Sequence, residues 1–396
     1  MTAQRAQAWP PARAGASGLQ LVSPWLGRMA VRGTVLLLVW GLSACAADRP
    51  KPTPLENLAP KIAGQSVWRT QIGKIGFAMV PVVRDGAFIV ANGAGQVTAL
   101  DAQTGVVRWQ TSVGESLAAG VGSDGRYTSV VTRTNQVVTL DGERELWRSR
   151  VPASVVTPPL VAGERVFVIA VDRSVHAFDA INGRRLWTLQ RPGEALTLAQ
   201  ASVLTAYKNT LVVAQGPRLA GVDPLRGTLQ WEVAIASPRG TNEVERLADL
   251  VGPASRVGDS LCVRAFQSAV GCADLARGAV TWSRTVGGIN AVSSNGELVF
   301  GADASDRISA WRAGNGDVQW TSEKLLYRGL SGALAVGPSV VFGDIEGQVH
   351  FLSATTGELQ LRLPTDGKPV LGAPVLAGNT LMVSTEGGGL FAFRPN

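Results

Sequence analysis

The chain has 396 residues, 45% of them apolar, and a formal net charge of +7 from 37 Lys and Arg against 30 Asp and Glu. The excess is misleading: residues 1–44 carry Arg5, Arg13, Arg28 and Arg32 and no acid, and taking these four from 37 leaves 33 basic against 30 acidic residues. So even a surface gives little support for nucleic-acid binding, which needs a basic stripe or patch. With 46 Gly and 21 Pro and no long segment of helical period, the chain is expected to form many short strands joined by turns.

Residues 1–28 contain Trp9-Pro10-Pro11 and an Ala/Gly/Arg-rich stretch and do not fit an export signal, so translation is expected to start at Met29. The run MAVRGTVLLLVWGLSAC, Met29 to Cys45, does fit one. Arg32 gives a positive start, Thr34–Leu42 an apolar core of nine residues, and Leu42-Ser43-Ala44 a small-residue site before Cys45. A bilayer span needs about 20 apolar residues, so this core is too short to cross. Leu-Ser-Ala-Cys resembles the bacterial lipobox. The resemblance implies cleavage before Cys45, acylation of its sulfur and, with Ala46 rather than Asp next, sorting to the outer membrane. Each buried methylene of such an anchor contributes about 0.8 kcal/mol. Residues 45–60, with Pro50, Pro52, Pro54 and Pro60, are expected to form a semi-extended tether, and the folded part, 61–396, to begin near Lys61.

From Trp68 onward a tryptophan recurs: Trp68, Trp109, Trp147, Trp187, Trp231, Trp282 and Trp320, with Leu361 in the next equivalent place, at intervals of 41, 38, 40, 44, 51, 38 and 41 residues. A period near 40 with strand patterning is that of propeller blades. In the unit after Trp68, Asp85-Gly86 marks a hairpin, Phe88-Ile89-Val90 a buried strand, Val97 and Ala99 a third strand, and Val106–Trp109 the start of a fourth. The stretch LDAQTGVVRW, 100–109, has echoes in FDAINGRRLW, VDPLRGTLQW and ADLARGAVTW. In it Gly105 suits a positive-φ turn, Asp101 the amides of that turn, and Trp109 a flat apolar cover for the neighbouring blade. The C-terminal tail holds three strands, and the segment around Ser66–Thr70 can supply a fourth. The sequence therefore predicts an all-β, eight-bladed propeller of four-stranded antiparallel blades closed by the two chain ends, with seven blades the runner-up.

The pattern A-x-D-x-x-x-G-x-x-x-W resembles the repeat of pyrroloquinoline-quinone (PQQ) dehydrogenases. It is also similar to the BamB family, cofactor-free eight-bladed lipoprotein subunits of the outer-membrane β-barrel assembly machinery. The resemblance runs from Cys45 to the C-terminus and includes the longest interval, which carries SPRGTNEVERLADLVGPASRV, 237–257. There the family motif E-[IV]-[DE]-R-L-x-D-x-D is matched by Glu243, Val244, Glu245, Arg246, Leu247 and Asp249, with Val251 in place of the second aspartate. The family's L-x-L-R in the preceding blade is matched by Leu196 and Leu198, with Ala199 where arginine is expected. The resemblance implies that these two loops bind the periplasmic domains of a BamA-type barrel protein, and that the chain is a scaffold aiding β-barrel assembly, lipid-anchored at the outer membrane and facing the periplasm. Unfolded barrel clients and strand addition at a blade edge are further expected contacts. Read without the family, a long loop with Glu243, Glu245, Arg246 and Asp249 around Leu247 and Leu250 suits either a protein interface or a solvated loop with one helical turn.

The alternative is a periplasmic redox protein like the PQQ dehydrogenases. Such an enzyme needs a base, a metal and a cofactor cradle. This chain has no adjacent cysteine pair, and Asp101, Asp179, Asp223 and Asp274 have turn roles. His176 and His350 sit at matching strand positions, which reads as packing, so no enzyme activity, cofactor or metal is expected. Cys262 and Cys272 stand at equal distances from Gln267 across a hairpin, either as a disulfide in an oxidising compartment or as two small buried thiols.

Overall fold

Each repeat becomes one four-stranded antiparallel sheet. The structure is a computed structural model that describes residues 50–395 except 78, 192–195 and 239. The upstream extension, the export signal and Cys45 lie outside the described residues. Seven sheets follow the chain, at 82–112, 122–150, 160–189, 204–234, 250–285, 293–322 and 334–364. We number them blades 1 to 7. Blade 8 takes three strands from 370–394 and its outermost from the strand Gln65–Gln71, which pairs antiparallel with Gly389–Arg394. The count is eight, and the two ends of the chain close the ring, so no open sheet is left between first and last repeats.

Closure is also visible in the core. Eight apolar clusters occur among the described residues, and each is shared by two successive blades. In the strand Ala87–Ala91, Phe88 and Val90 face blade 8, with Met382 and Leu390, whereas Ile89 and Ala91 face blade 2, with Val130 and Val138. Side chains alternate sides along a strand, and here both sides are covered. That is why the inner strands read as unbroken apolar runs rather than as alternating ones.

The recurring Asp, Gly and Trp meet at the seams between blades. Asp101 accepts hydrogen bonds from the backbone amides of Gln103 (3.0 Å) and Thr104 (2.9 Å). Asp179, Asp223 and Asp274 hold their turns in the same way. The glycine that follows has a double reason. Gly105 has φ +72°, and a Cβ on it would lie 2.6 Å from the Trp68 ring. Gly183, φ +71°, is crossed by the Trp147 ring in the same way, at 2.5 Å. Each of Trp68, Trp147, Trp187, Trp282 and Trp320 thus lies across the turn of the next blade. Its indole N–H donates to a carbonyl there: Trp68 to Ala102 (3.1 Å), Trp147 to Ala180 (2.8 Å), Trp187 to Pro224 (3.0 Å), Trp282 to Ala313 (2.7 Å) and Trp320 to Ala354 (2.9 Å). Leu361 occupies the same register in blade 7, opposite Phe351.

The proline-rich segment is less free than its composition predicts. Residues 51–60 form no strand, yet Leu55 packs on the core shared by blades 6 and 7. The Thr53 amide donates to the Leu326 carbonyl (2.9 Å), the Arg328 guanidinium to the Thr53 carbonyl (3.0 Å) and Arg362 to that of Glu56 (3.1 Å). Packing therefore begins upstream of Lys61, because this stretch finds an apolar seat and partners for its backbone.

Candidate interaction surface

Strand direction decides which loops share a face. Within every blade the turn after the second strand and the connection to the next blade lie at the same end, opposite the Asp–Gly turns. The two loops singled out in the sequence are successive connections of this kind, one entering blade 4 and one entering blade 5. Their shared face also carries the turns at Arg173 and Gln267.

The longer loop, 235–249, owes its shape to one helical turn at 243–246. Asn242 caps it: its side-chain oxygen accepts from the Glu245 amide (2.9 Å), and its carbonyl accepts from the Arg246 amide (3.2 Å). Glu245 reaches back to the Thr241 amide (2.8 Å) and hydroxyl (3.1 Å), an arrangement close to a capping box. The Thr241 amide, ahead of the other donors, holds the Glu245 carboxylate below the usual glutamate range. The turn displays Glu243 and Val244, the latter 71% exposed, with Arg246 and Leu247 half-buried behind them.

Asp249 ends the loop and ties it to its neighbour. One carboxylate oxygen accepts from the Leu198 amide (2.7 Å), and the other from the Arg173 guanidinium (3.3 Å), which also donates to the Leu196 carbonyl (3.4 Å). Within the shorter loop, Leu196 is exposed, Leu198 half-buried and Ala199 exposed. Gln200 donates to the Ile289 carbonyl (2.9 Å) in the connection entering blade 6. Leu196, Leu198, Glu243, Arg246, Leu247 and Asp249 are thereby assembled on one face of the ring.

Two residues of the motif lie elsewhere than the sequence suggests. Leu250, read there as an apolar anchor, is 1% exposed and belongs to the core between blades 4 and 5. Val251, at the place of the second aspartate, is buried on the innermost strand of blade 5, Leu250–Val257, opposite Arg264. The loop ends at Asp249, because strand pairing begins at the next residue.

Arg264 is a buried cation that sequence reading missed. It passes Gly288 and Gly301, where a Cβ would lie within 3.0 Å of its guanidinium. It donates to the carbonyls of Val286, Gly287, Asn290 and Ala302 at 2.8–3.2 Å. Burial lowers its pKa to about 10, which leaves it charged at neutral pH. It fixes the connection entering blade 6 beside the loop pair. A lone arginine in the inner strand SLCVRA was the available signal.

The residues weighed for chemistry have structural partners. The Arg108 guanidinium, followed by Thr104, lowers Asp101 to about 2. His176 bonds Ser174 (2.9 Å) and Thr188 (3.1 Å). His350 bonds the buried Asp344 (2.9 Å), which also accepts from Arg328 (2.8 Å). Burial above all lowers both histidines. Among the described residues no group of three or more His, Cys, Asp or Glu has the arrangement of a metal site. Cys262 and Cys272 face each other across a hairpin, Cα–Cα 4.0 Å, and are joined as a disulfide.

Comparison with known proteins bears on the family and the fold. The sequence matches the family model described as outer membrane protein assembly factor BamB over residues 58–118 and 93–322. A protein of that name from Burkholderia pseudomallei is 36% identical over 91% of this chain and 96% of its own length. Among solved structures, BamB from Moraxella catarrhalis matches 84% of this chain and 99% of its own with a TM-score of 0.76 at 19% identity. Quinohemoprotein alcohol dehydrogenase from Comamonas testosteroni matches 86% of this chain and 78% of its own with a TM-score of 0.64 at 15% identity. At such identities the two structures bear on fold alone.

Proposed function

The chain belongs to the family of outer membrane protein assembly factor BamB, and from that premise we infer that it is a scaffold for the assembly of β-barrel proteins into the outer membrane. The observation that carries the mechanism is the loop pair: two connections fastened to each other by Asp249 present Leu196, Glu243, Val244 and Arg246 together on one face of a closed ring. Exposed apolar side chains with charges beside them suit a protein interface, and arginine is enriched at such sites.

The partner is a BamA-type barrel protein, met through its periplasmic domains. Binding and positioning, rather than bond chemistry, are the work of this subunit. The ring supports that role, because loops on a closed scaffold keep their spacing without loss of order on binding. The repeat aspartates fit it too, since Asp101, Asp179, Asp223 and Asp274 each hold their own turn. Acylated Cys45 anchors the chain at the outer membrane with the ring in the periplasm. In that compartment a disulfide such as Cys262–Cys272 persists.

Arg246→Glu tests the surface. Capture of the BamA-type subunit should weaken at least tenfold, about 1.4 kcal/mol, with the thermal unfolding midpoint held. Unchanged co-purification would remove this face from the interface.

A further inference from the structure

We propose that Arg173, a residue of blade 3, is the positioning residue of the partner-binding surface. It holds the Asp249 carboxylate, and through Asp249 the backbone at Leu198, so that the two loops are presented as one. The proposal rests on the reading that these loops bind the BamA-type subunit.

Two independent observations lead to it. The first is the bracket itself. Arg173 donates to Asp249 (3.3 Å) and to the Leu196 carbonyl (3.4 Å), while the other Asp249 oxygen accepts from the Leu198 amide (2.7 Å). The Arg173 and Asp249 side chains are only 13% and 14% exposed. A carboxylate so enclosed and so engaged has little left to offer a partner. The polar contacts of the surface then fall to the helical turn at 243–246, and Asp249 acts inward. The guanidinium also comes from outside the loop, where Ala199 supplies none.

The second observation is the backbone. Arg173 has φ +65°. Its amide closes its turn onto Ala170, as Gly95 does onto Asn92, Asn135 onto Thr132, Asp306 onto Asp303, Gly347 onto Asp344 and Gly388 onto Thr385. Glycine, asparagine and aspartate tolerate the left-handed region, whereas a long side chain there is strained. The turn does not call for arginine. The contacts beyond it do, and strain of this kind gathers at functional positions.

Arg173→Asn separates the two roles, because it installs the residue that blade 2 uses in the same turn. In the full-length protein purified from membranes, the unfolding midpoint should hold or rise. Hydrogen exchange at the Leu198 amide should quicken at least tenfold. The dissociation constant for the BamA-type subunit should rise about tenfold. Asp249→Asn should do the same, and the double variant should be no worse than either single one, since both break one bracket. Unchanged exchange at Leu198 in Arg173→Asn would overturn the proposal, as would additive losses in the double variant. The exchange experiment needs no partner. If exchange quickens while the wild-type protein fails to bind the BamA-type subunit, the bracket stands, the partner reading falls and the positioning role falls with it.

Discussion

The two faces of the ring are built by different rules. On the Asp–Gly face, one small device recurs from seam to seam: an aspartate holds a turn, a glycine leaves room, and the tryptophan of the preceding blade lies across it. On the opposite face, the loop pair occurs once, and its contacts join residues as far apart as Arg173 and Asp249, 76 positions along the chain. The first face secures the ring. The second uses a ring already secured to hold an irregular surface. Stability and binding should therefore respond to different substitutions.

The contrast would break if a seam residue governed binding or a loop residue governed stability. The largest expected effect is at a seam. Gly183→Ala adds a Cβ 2.5 Å from the Trp147 ring at φ +71°, and should cost about 2–4 kcal/mol by chemical denaturation. Partner capture by the remaining folded protein should be unchanged. Removing the disulfide comes next. With the cysteines ten positions apart along the chain, Cys262→Ala with Cys272→Ala should cost about 2 kcal/mol. It too should leave partner affinity in place. The smallest effect concerns Asp101, whose pKa is lowered to about 2, chiefly by Arg108. A depressed carboxylate pKa stabilises the fold above the unfolded value of 3.8, and that contribution is lost as pH falls through about 2. Carboxyl titration followed by NMR should show this low midpoint in the native chain and a higher one in Arg108→Ala, still held down by the amides of Gln103 and Thr104.

The same contrast explains what the sequence could show. Blade number was legible because Trp68 and its echoes keep one phase, and because the tail lacked the strand that Gln65–Gln71 supplies. The role of Gly105 was legible in part. The turn announced positive φ, but only the folded ring shows the Trp68 ring lying over it. The loop entering blade 5 was visible as the longest interval, though not where it ended. Leu250 and Val251 are apolar, and apolar character alone does not separate an interface anchor from the start of a buried strand. Arg173 was illegible, because its partners Asp249 and Leu196 belong to other repeats and no periodicity links them. Its one local signature was a bulky residue where blades 1, 2, 6, 7 and 8 place Gly, Asn or Asp.

Affinity purification of the protein from native outer membranes, with mass spectrometry of its partners and of its N-terminal peptide, separates a scaffold from an enzyme. A scaffold of the assembly machinery should bring down a large barrel protein with periplasmic domains and carry an acylated Cys45 peptide. A soluble protein with no such partner and a bound quinone would contradict that role, and would return the repeats to a redox enzyme.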